Sequence, residues 1–397
     1  MDLNESAEEQ AFRLEVRAFV RDQLPVEIRD KVLKFQHLEK SDYVTWHRIL
    51  GARGWGAPTW PKEYGGTGWS GVQRVIFEQE CMEAGAPRLL AAVNMIGPIL
   101  MRYGTPEQQA YFLPKTRDMD IVWCQGYSEP GAGSDLASLR TRAERQGDHY
   151  VVNGQKIWTS LSLWADWVFA LVRTSSEGKP QEGISFLLID LNTPGITRRP
   201  IRMINGSMEF TEVFFDNVNV PASNLVHEKN KGWSVAKHLL VHERSAQADI
   251  GLCKRMLRRL KEVATTCLKR GRPLIEDQRF RDQVVRVEMD LLAHEWTLLR
   301  VLSMIANKRD PGPETFVLKL GATAIVQKAS ELLMECAGPD ALPYVAEALH
   351  EGWQGDLPNA LEIHTLAANY FDWRRISIYG GTSEVTKGIM SKMILGL

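Results

Sequence analysis

The spacing of apolar residues changes twice along this 397-residue chain, and these changes limit its fold more than any single motif does. Apolar residues recur at helical spacing in 1–122, alternate or run continuously in 123–236, and return to helical spacing in 237–397. We therefore predict an α+β multi-domain fold. It would comprise an N-terminal helical domain, a central β-domain and a C-terminal helical bundle with those boundaries.

The predicted elements of the second and third regions differ in length. Short strands are expected at 167–172, 184–189 and 213–215, and strands at this spacing favour a sandwich or a small barrel. Long amphipathic helices are expected at 235–266, 281–306, 315–337 and 363–377. Four long helices with modest connections favour a four-helix bundle.

The N-terminal region carries clear helix boundary signals. Pro25 is predicted to end the first helix, since proline cannot continue a helix interior. Thr105 is a predicted N-cap and Pro106 suits the first helical turn, so a new helix is expected to begin there.

Residues 124–160 are the first candidate for a cofactor site. The segment GAGSD at 131–135 allows a ligand to approach the backbone, because glycine has no Cβ. Asn153-Gly154 between apolar residues predicts a type I′ hairpin, and the sequence WTS follows at 158–160. Together they form a plausible cradle for a planar cofactor, although the same composition is typical of an ordinary surface loop.

Composition excludes several classes of protein. A net charge of −1 and a pI of about 6.8 argue against a nucleic-acid-binding surface. No apolar run has the length of a membrane span, and the acidic N-terminus does not resemble a signal peptide. The 5 cysteines include no CxxC pair, so we expect reduced thiols in a cytoplasmic protein.

Two apparent motifs are not interpreted as sites. Residues 66–71 fit the pattern GxGxxG, but they follow WPKEY rather than a buried strand, so a dinucleotide site is not predicted. His238 and His242 are four residues apart on a predicted helix. They lack the His-Glu-x-x-His order and a third ligand, so no metal site is predicted.

Two further stretches contain candidate chemistry. Glu243-Arg244 lies between apolar turns of a predicted helix, where burial could tune the carboxylate as a base. The alternative is an exposed ion pair. In the segment YGGTSE at 379–384, two glycines precede a helical pattern whose N-terminal amides could face a ligand. The alternative is an ordinary interhelical turn capped by threonine.

Several ordered segments resemble the acyl-CoA dehydrogenase family, and the resemblance covers essentially the whole chain. They read GWGAPTWPKEYGGTG, RYGTPEQQAYFLPK, YSEPGAGSD, VNGQKIWTS, EVFFDNVNVP, NKGW and YGGTSEV. Within the family, the chain resembles bacterial members such as the large subunit of pimeloyl-CoA dehydrogenase.

This resemblance implies a fold and a reaction. The fold would be N-terminal helices, a central β-domain and a C-terminal four-helix bundle. The reaction would be α,β-dehydrogenation of an acyl-CoA thioester to a trans-2-enoyl-CoA with FAD as cofactor. A carboxylate would remove the α proton while the β hydride passes to the flavin, so the protein must position the Cα–Cβ bond and polarise the thioester carbonyl.

The resemblance also implies individual site residues. Cofactor contacts are expected at Gln125, Tyr127, Ser128, Trp158, Thr159, Ser160, Thr382 and Glu384. Substrate contacts are expected at Ser134, Arg244, Tyr379, Gly380 and Gly381, with the Gly380 amide donating to the thioester carbonyl.

The catalytic base is expected at Glu243. Many family members carry a catalytic glutamate at the position of Gly380, which has no side chain and cannot be a base. Other members place the base on the first bundle helix, just before an arginine, and Glu243-Arg244 matches that arrangement. The missing side chain at Gly380 also suits a bulky or long acyl group.

Two family elements that serve a neighbouring subunit are altered. The Arg-x-x-Phe-Gly element is degraded at 269–274, although Gln278 fits a glutamine downstream of it. The Gln-x-x-Gly-Gly element reads ECAGP at 335–339. We therefore expect a second acyl-CoA dehydrogenase-like subunit in an α2β2 assembly, with a homo-oligomer as the alternative.

The predicted function is FAD-dependent dehydrogenation of a long, dicarboxylyl or bulky acyl-CoA, with electrons passed to an electron-transfer flavoprotein. One alternative is a non-catalytic or FAD-sharing subunit that keeps the fold. Another is an acyl-CoA oxidase that uses oxygen directly. No lysine or arginine can be assigned to an ω-carboxylate, so the dicarboxylyl group is implied by the resemblance alone.

Overall fold

The structure is a computed structural model that describes the backbone of residues 5–246, 248–307, 309, 311–355 and 360–396. Side chains are described for the same residues except 91–92, 240–246, 314 and 360–361. Within these ranges no helix is long and apolar enough to cross a membrane.

The N-terminal region forms a layer of helices, as predicted. They are α1 (Ala7–Gln23), α2 (Val26–Leu33), α3 (Lys40–Ala52), α4 (Gly71–Ala84), α5 (Ala91–Tyr103) and α6 (Pro106–Arg117). The predicted start of α6 is confirmed. The Thr105 hydroxyl accepts a hydrogen bond from the Gln108 amide at 3.2 Å, and the Gln108 side chain accepts one from the Thr105 amide at 3.1 Å. Residues 66–70 are irregular and lead into α4, which begins at Gly71.

The central region forms an eight-stranded mixed sheet. Its strands are β1 (Trp123–Gly126), β2 (Arg142–Gln146), β3 (His149–Ser160), β4 (Trp167–Arg173), β5 (Ile184–Asp190), β6 (Ile196–Ile201), β7 (Phe210–Pro221) and β8 (Leu225–Val226). The order is β6-β7-β3-β2-β4-β5-β8, and β1 pairs in parallel with β4. The three strands predicted from the sequence are therefore confirmed.

The predicted hairpin at Asn153-Gly154 is wrong. Both residues lie inside β3, and the β2–β3 turn is at Gly147-Asp148, where Gly147 has a φ of +61°. The pairing of β3 with β7 shifts register between Val152 and Gly154, so the dipeptide forms a bulge instead of a turn. Pairing on both edges of β3 keeps the strand extended and outweighs the local turn propensity.

The C-terminal region is helical, but two predicted helices are interrupted. Its helices are α7 (Gly232–Ala246), α8 (Ile250–Thr266), α9 (Gln278–Ala306), α10 (Glu314–Ala337), α11 (Ala360–His364), α12 (Leu366–Asp372) and α13 (Ser383–Leu395). A short hairpin, β9 (Leu268–Lys269) with β10 (Arg272–Pro273), follows α8. The long α8, α9 and α10 share one apolar core to which the region around α12 contributes.

The interruptions have local causes. The pattern at 235–266 is divided into α7 and α8, and Asp249 immediately before α8 has a φ of +48°, which a continuing α-helix cannot contain. The pattern at 363–377 is divided into α11, α12 and a 3₁₀ segment, Trp373–Ser377.

Candidate functional site

A buried ion pair connects the loop after β1 to strand β3. One oxygen of the Glu129 carboxylate lies 2.7 Å from the Lys156 ammonium, and the carboxylate also accepts from the amides of Arg140 (2.6 Å) and Thr141 (2.9 Å). The Lys156 ammonium also donates to the Tyr127 carbonyl at 3.1 Å. Both side chains are buried. These bonds hold the glutamate of the YSEPGAGSD segment in one place.

Opposing effects set the charge states of this pair. Burial raises the pKa of Glu129, but Lys156 and the N–H donors outweigh it and leave that pKa below its usual value. Burial lowers the pKa of Lys156 to about 8, although Glu129 acts against this change. The pair is therefore ionised near neutral pH.

The end of β1 brings three predicted cofactor residues together. Gln125 pairs with Phe169 of β4, and Tyr127 and Ser128 follow directly. The Ser128 carbonyl accepts a hydrogen bond at 2.9 Å from the Ile157 amide of β3, so this backbone lies against the strand that leads to Trp158. Tyr127 is buried, whereas Ser134 is exposed in the following loop.

Trp158 protrudes from β3 at the second of two breaks in the pairing register between β3 and β7. The pairing with β7 shifts register between Lys156 and Thr159, and Trp158 has a φ of +59°. Its indole is 51% exposed and meets the Phe210 ring edge-on at a centroid distance of 6.2 Å. A positive φ at a bulky residue is uncommon and costs free energy. This backbone strain marks the Trp158 indole as a candidate ligand contact.

Thr159 and Ser160 occupy different environments. The Thr159 side chain is fully buried, and its hydroxyl has no hydrogen-bond partner among the described residues. Its carbonyl accepts from the Thr211 hydroxyl at 3.3 Å. Ser160 is half-buried. The interior position of the Thr159 side chain is unlike that of the exposed Trp158, so these neighbours do not form one continuous surface.

The residues described so far, 125–128 and 158–160, form one candidate surface, which we call the sheet wall. The segment before α13, residues 379–382, forms a second, which we call the helical wall. Gly380 and Gly381 have φ values of +64° and +92°, and the Thr382 hydroxyl caps α13 by accepting from the Val385 amide at 3.1 Å. Glu384 lies in the first turn of α13. The Lys319 ammonium donates to the carbonyls of Ile376 and Tyr379, both at 2.7 Å. These bonds fix the turn against α10.

Arg375 links the two walls. Its guanidinium donates to the Glu209 carboxylate at 2.8 Å and lies 4.8 Å from the centroid of the Phe210 ring. Because Phe210 also contacts Trp158, a chain of contacts runs from the exposed indole to the 3₁₀ segment just before Tyr379. Burial raises the pKa of Tyr379 to about 12, and nearby charges of Arg88, Asp249, Arg375 and Asp372 act on it from the surrounding elements.

Glu243 and Arg244 lie in the backbone of α7, but their side chains are outside the described residues. Asp249, six positions after Glu243, forms an ion pair with Arg88 at 2.6 Å. That pair joins the start of α8 to the loop after α4.

A cleft with about 650 Å³ of empty volume, its mouth included, lies beside the glycine loop. Gly131 and Arg140 line it from one side, and Gly154 and Gln155 line it from β3. A Cβ added to Gly131 would meet nothing within 4 Å, so the backbone there is open. Open backbone next to a guanidinium suits a phosphate-bearing ligand.

Sequence reasoning missed several of these residues. Lys156 could have been found from the sequence. A lysine between apolar residues of a strand predicts a buried ammonium group, which needs a buried partner. Arg88, Asp249 and Arg375 had no recognisable signal, because their partners are distant in sequence.

No group of three potential metal ligands occurs among the described side chains. The His238 ring packs against Tyr103 at 5.6 Å.

The exposed indole, the open glycine loop and the helix N-terminus after two glycines fit a planar heteroaromatic group that carries phosphates. The indole offers a flat apolar face. The amides at the start of α13 and around Gly131 offer donors to anionic or carbonyl oxygens. These features agree with the flavin that the sequence resemblance implies.

Comparison with protein-family models gives matches along nearly the whole chain. Residues 6–120 match the acyl-CoA dehydrogenase N-terminal domain, 124–218 match the middle domain, and 230–395 match the C-terminal domain. The chain is 35% identical to the acyl-CoA dehydrogenase IpdE1 of Mycobacterium tuberculosis over 97% of each chain. It is 36% identical to FadE26 of the same organism, over 88% of this chain and 86% of the relative.

Solved structures give a similar result. A protein described as the Tcur3481-Tcur3483 steroid ACAD is 31% identical, with a TM-score of 0.86 and coverage of 100% of this chain and 99% of the other. The ChsE4-ChsE5 complex from Mycobacterium tuberculosis is also 31% identical, with a TM-score of 0.84 and the same coverage. Both descriptions name two proteins together.

Proposed function

Because this chain belongs to the acyl-CoA dehydrogenase family, and is thus an oxidoreductase that acts on CH–CH groups, we propose the following specific function. It oxidises the Cα–Cβ bond of a bulky acyl-CoA to a trans-2-enoyl-CoA, with FAD as cofactor and Glu243 as base. The observation that carries the proposal is the series of contacts from Trp158 through Phe210 to Arg375, which lies four residues before Tyr379.

The cofactor contacts divide between the two walls. Gln125, Tyr127, Ser128 and Ser160 belong to the sheet wall with Trp158, and Thr382 and Glu384 belong to the helical wall. Thr159 would take part through its backbone, since its side chain faces the interior. Bound FAD would supply the group that accepts the hydride from the β carbon. The protein's own task is to hold the substrate Cα–Cβ bond in position and to exclude water.

Proton removal is assigned to Glu243. Gly380, where many relatives have a glutamate, has a φ of +64° and no side chain, so another carboxylate must act as base. Glu243 lies within the last turn of α7, immediately before Arg244, which would support the substrate. The amide of Gly380 would donate to the thioester carbonyl and stabilise the enolate-like charge that develops there. Tyr379, Gly381 and Ser134 would border the acyl-CoA.

The acyl group is proposed to be bulky. The absent side chain at Gly380 leaves space beside the reacting carbons, and a solved relative is described as a steroid enzyme. Electrons would leave through an electron-transfer flavoprotein, as the family resemblance implies.

A second subunit is proposed from exposed apolar surfaces. Exposed side chains on one face of α9 are Val285, Met289, Leu292 and Trp296. Exposed side chains on α13 are Val385, Ile389 and Met393. Apolar stripes of this kind are typical of protein interfaces. Because the sequence elements that would serve a neighbour's FAD are altered, an α2β2 assembly with a second acyl-CoA dehydrogenase-like chain is favoured over a homo-oligomer.

Glu243→Gln tests the base assignment. The variant, purified with its partner chain, is expected to stay yellow and to lose at least about a thousandfold in anaerobic flavin reduction by acyl-CoA, since general-base catalysis and positioning are both affected. Glu262→Gln, an exposed change on α8, is the matched control. Reduction at the wild-type rate in Glu243→Gln would rule out the base assignment.

The FAD-sharing alternative is favoured specifically by the altered segments 269–274 and 335–339. Expression of this chain alone and with a partner distinguishes a dehydrogenase that binds its own FAD from a subunit that shares FAD with its partner. Stoichiometric FAD in a homotetramer of this chain would exclude the heteromeric assembly. Turnover in air without an added acceptor would instead favour an oxidase.

A further inference from the structure

The side chain of Arg375 reaches from the 3₁₀ segment Trp373–Ser377 to the sheet domain. Its Nη2 atom donates to the Glu209 carboxylate at 2.8 Å and lies 2.9 Å from a carboxylate oxygen of Asp372. The guanidinium also lies 4.8 Å from the centroid of the Phe210 ring. The side chain is 24% exposed, so these contacts are largely shielded from water. Two carboxylates balance the single positive charge, which disfavours a direct role in binding an anionic ligand.

On the sheet side, the residues that Arg375 contacts are bonded to the end of β3. The Glu209 carbonyl accepts a hydrogen bond from the Leu161 amide at 2.9 Å. Phe210 is paired with Ser160 in the ladder between β3 and β7. The side chain of Arg375 is therefore attached immediately next to the sheet wall.

On the other side, the main chain of Arg375 holds the helical wall. Its carbonyl accepts from the amides of Ile378 at 2.9 Å and Tyr379 at 3.3 Å. The Lys319 ammonium donates to the carbonyls of Ile376 and Tyr379, so the 3₁₀ segment and the start of the helical wall are held together on α10. One residue thus connects the two walls, through its side chain to one and through its backbone to the other.

A second attachment comes from the turn between β6 and β7. The Asn205 side-chain amide donates to the Asp372 carboxylate at 2.8 Å, and its oxygen accepts from the Ser207 amide at 3.1 Å and the Ser207 hydroxyl at 2.9 Å. Asn205 is buried. Because Asp372 also pairs with Arg375, the bonds form one network that fixes this turn to the C-terminal region at two places, Asn205 and Glu209.

We propose that Arg375 is a positioning residue that sets the spacing of the sheet wall and the helical wall, between which the flavin and the thioester would lie. This inference rests on the proposed function. Without the guanidinium, the Gly380 amide is free to shift relative to Trp158, and a displacement of about 1 Å can slow an oriented reaction about a hundredfold. The loss should fall on the chemical step rather than on acyl-CoA affinity, because alignment matters most in the transition state.

The neighbouring arginine supplies a matched control. Arg374 lies in the same 3₁₀ segment, and its guanidinium donates to the Gln327 carbonyl, the Ser330 hydroxyl and the Glu331 carboxylate, all on α10. Its side chain is 30% exposed, close to the value for Arg375. Arg374→Met therefore removes a comparable set of bonds within the C-terminal region, whereas Arg375→Met removes the connection to the sheet domain.

Hydrogen exchange measures this connection without catalysis. In the holoenzyme, Arg375→Met should speed amide exchange about tenfold both in a peptide that contains Leu161 and in a peptide that contains Tyr379, because local opening on each side becomes easier. Arg374→Met should leave the exchange of the Leu161 peptide unchanged, since its bonds do not reach the sheet domain.

Anaerobic flavin reduction by 3-cyclohexylpropanoyl-CoA measures the consequence for the reaction. In Arg375→Met the rate at saturating thioester should fall about ten- to a hundredfold. The half-saturating concentration should change less than about threefold, as expected when an interaction specific to the transition state is lost. Arg374→Met should stay within about twofold of the wild-type rate, since alignment of the walls is retained.

Variants of Glu209 test the same contact from the sheet side. Glu209→Leu should reproduce the loss of rate, whereas Glu209→Gln keeps an oxygen acceptor and should retain most of the rate. The double variant Arg375→Met, Glu209→Leu should be no slower than Arg375→Met alone, because both changes remove one contact.

The proposal fails if the Leu161 and Tyr379 peptides do not respond together, if Arg374→Met slows the reaction as much as Arg375→Met, or if Arg375→Met changes only the half-saturating concentration. Failure of the proposed function gives a different result, since no thioester would then reduce the wild-type flavin. The exchange measurement still decides in that case whether Arg375 couples the walls.

Thermal melting and flavin absorbance verify that each variant is folded and loaded. If Arg375→Met does not fold, Arg375→Lys takes its place. Lysine keeps the charge but lacks the planar fork of the guanidinium, so a smaller loss in the same direction is expected. Wild-type exchange and rate in Arg375→Lys would then overturn the proposal.

Discussion

The Glu129 carboxylate and the Lys156 ammonium lie 2.7 Å apart inside the sheet domain, 27 residues apart in sequence. The pair joins the glycine-containing loop after β1 to β3 just before the exposed Trp158. Because both groups are removed from water, each depends on the other. This ion pair, together with the hydrogen bonds from Lys156 to the Tyr127 carbonyl and from the Ile157 amide to the Ser128 carbonyl, holds the loop beside the strand that carries the Trp158 indole.

Removal of one partner should be costly. Glu129→Gln leaves the buried Lys156 amine without its counter-ion, and we expect a loss of about 3–5 kcal/mol in the free energy of unfolding of the sheet domain. The double variant Glu129→Gln, Lys156→Met should recover most of this loss, since no buried charge remains. Urea unfolding monitored by tryptophan fluorescence measures both. Equal stability of the two variants would show that the pair is not coupled in this way.

The same pair predicts an acid-sensitive loop. The pKa of Glu129 is below its usual value of 4.5 in the folded protein, so its stabilising contribution is present above pH 4.5 and is lost as pH falls below it. For Lys156, the folded pKa of about 8 lies below the usual 10.5. Stability should therefore rise with pH between about 8 and 10.5. Melting temperatures of wild type and double variant across pH should differ in slope in these two windows.

Gly154 should not tolerate a side chain. A Cβ at this position would lie 2.7 Å from the Thr141 backbone Cα, and Gly154 has a φ of +149°. We expect Gly154→Ala to destabilise the protein by about 1–3 kcal/mol through overpacking and to disturb the cleft beside Arg140. Gly51→Ala, in a helix with nothing within 4 Å, should be neutral or stabilising by up to about 1 kcal/mol. Thermal melting compares the two.

Trp158 is expected to strengthen the binding of the flavin cofactor. If its exposed indole contacts the flavin, Trp158→Ala should weaken flavin binding by about 1 kcal/mol, or roughly fivefold, because stacking area is lost. Trp158→Phe should lose less, since an aromatic face remains. Flavin content after gel filtration and titration of the apoprotein with FAD give the measurement. Unchanged affinity in Trp158→Ala would move the cofactor away from this wall.

The apolar face of α9 should mediate assembly. Trp296→Glu places a charge on a side chain that is 53% exposed in the isolated chain, and it should shift the assembly to smaller species in sedimentation experiments. Arg286→Ala, also exposed but outside the apolar stripe, is the control. Unchanged sedimentation of Trp296→Glu would exclude this face from the interface.

Local chemistry determined much of the architecture. The helical and alternating patterns predicted the order of helices, strands and helices, and Thr105 was predicted as a cap because its hydroxyl bonds only three residues away. The segments that resemble the acyl-CoA dehydrogenase family likewise predicted the family, since each motif is continuous in sequence.

Only the tertiary structure decided where distant residues meet. Asn153-Gly154 has the composition of a turn, but strands on both sides hold it in an extended bulge. Asp249 and Arg88 are 161 residues apart, and their ion pair connects the loop after α4 to the start of α8. The physical reason is the same in both cases. Local propensities differ by about 1 kcal/mol, and contacts that the folded chain alone creates exceed them.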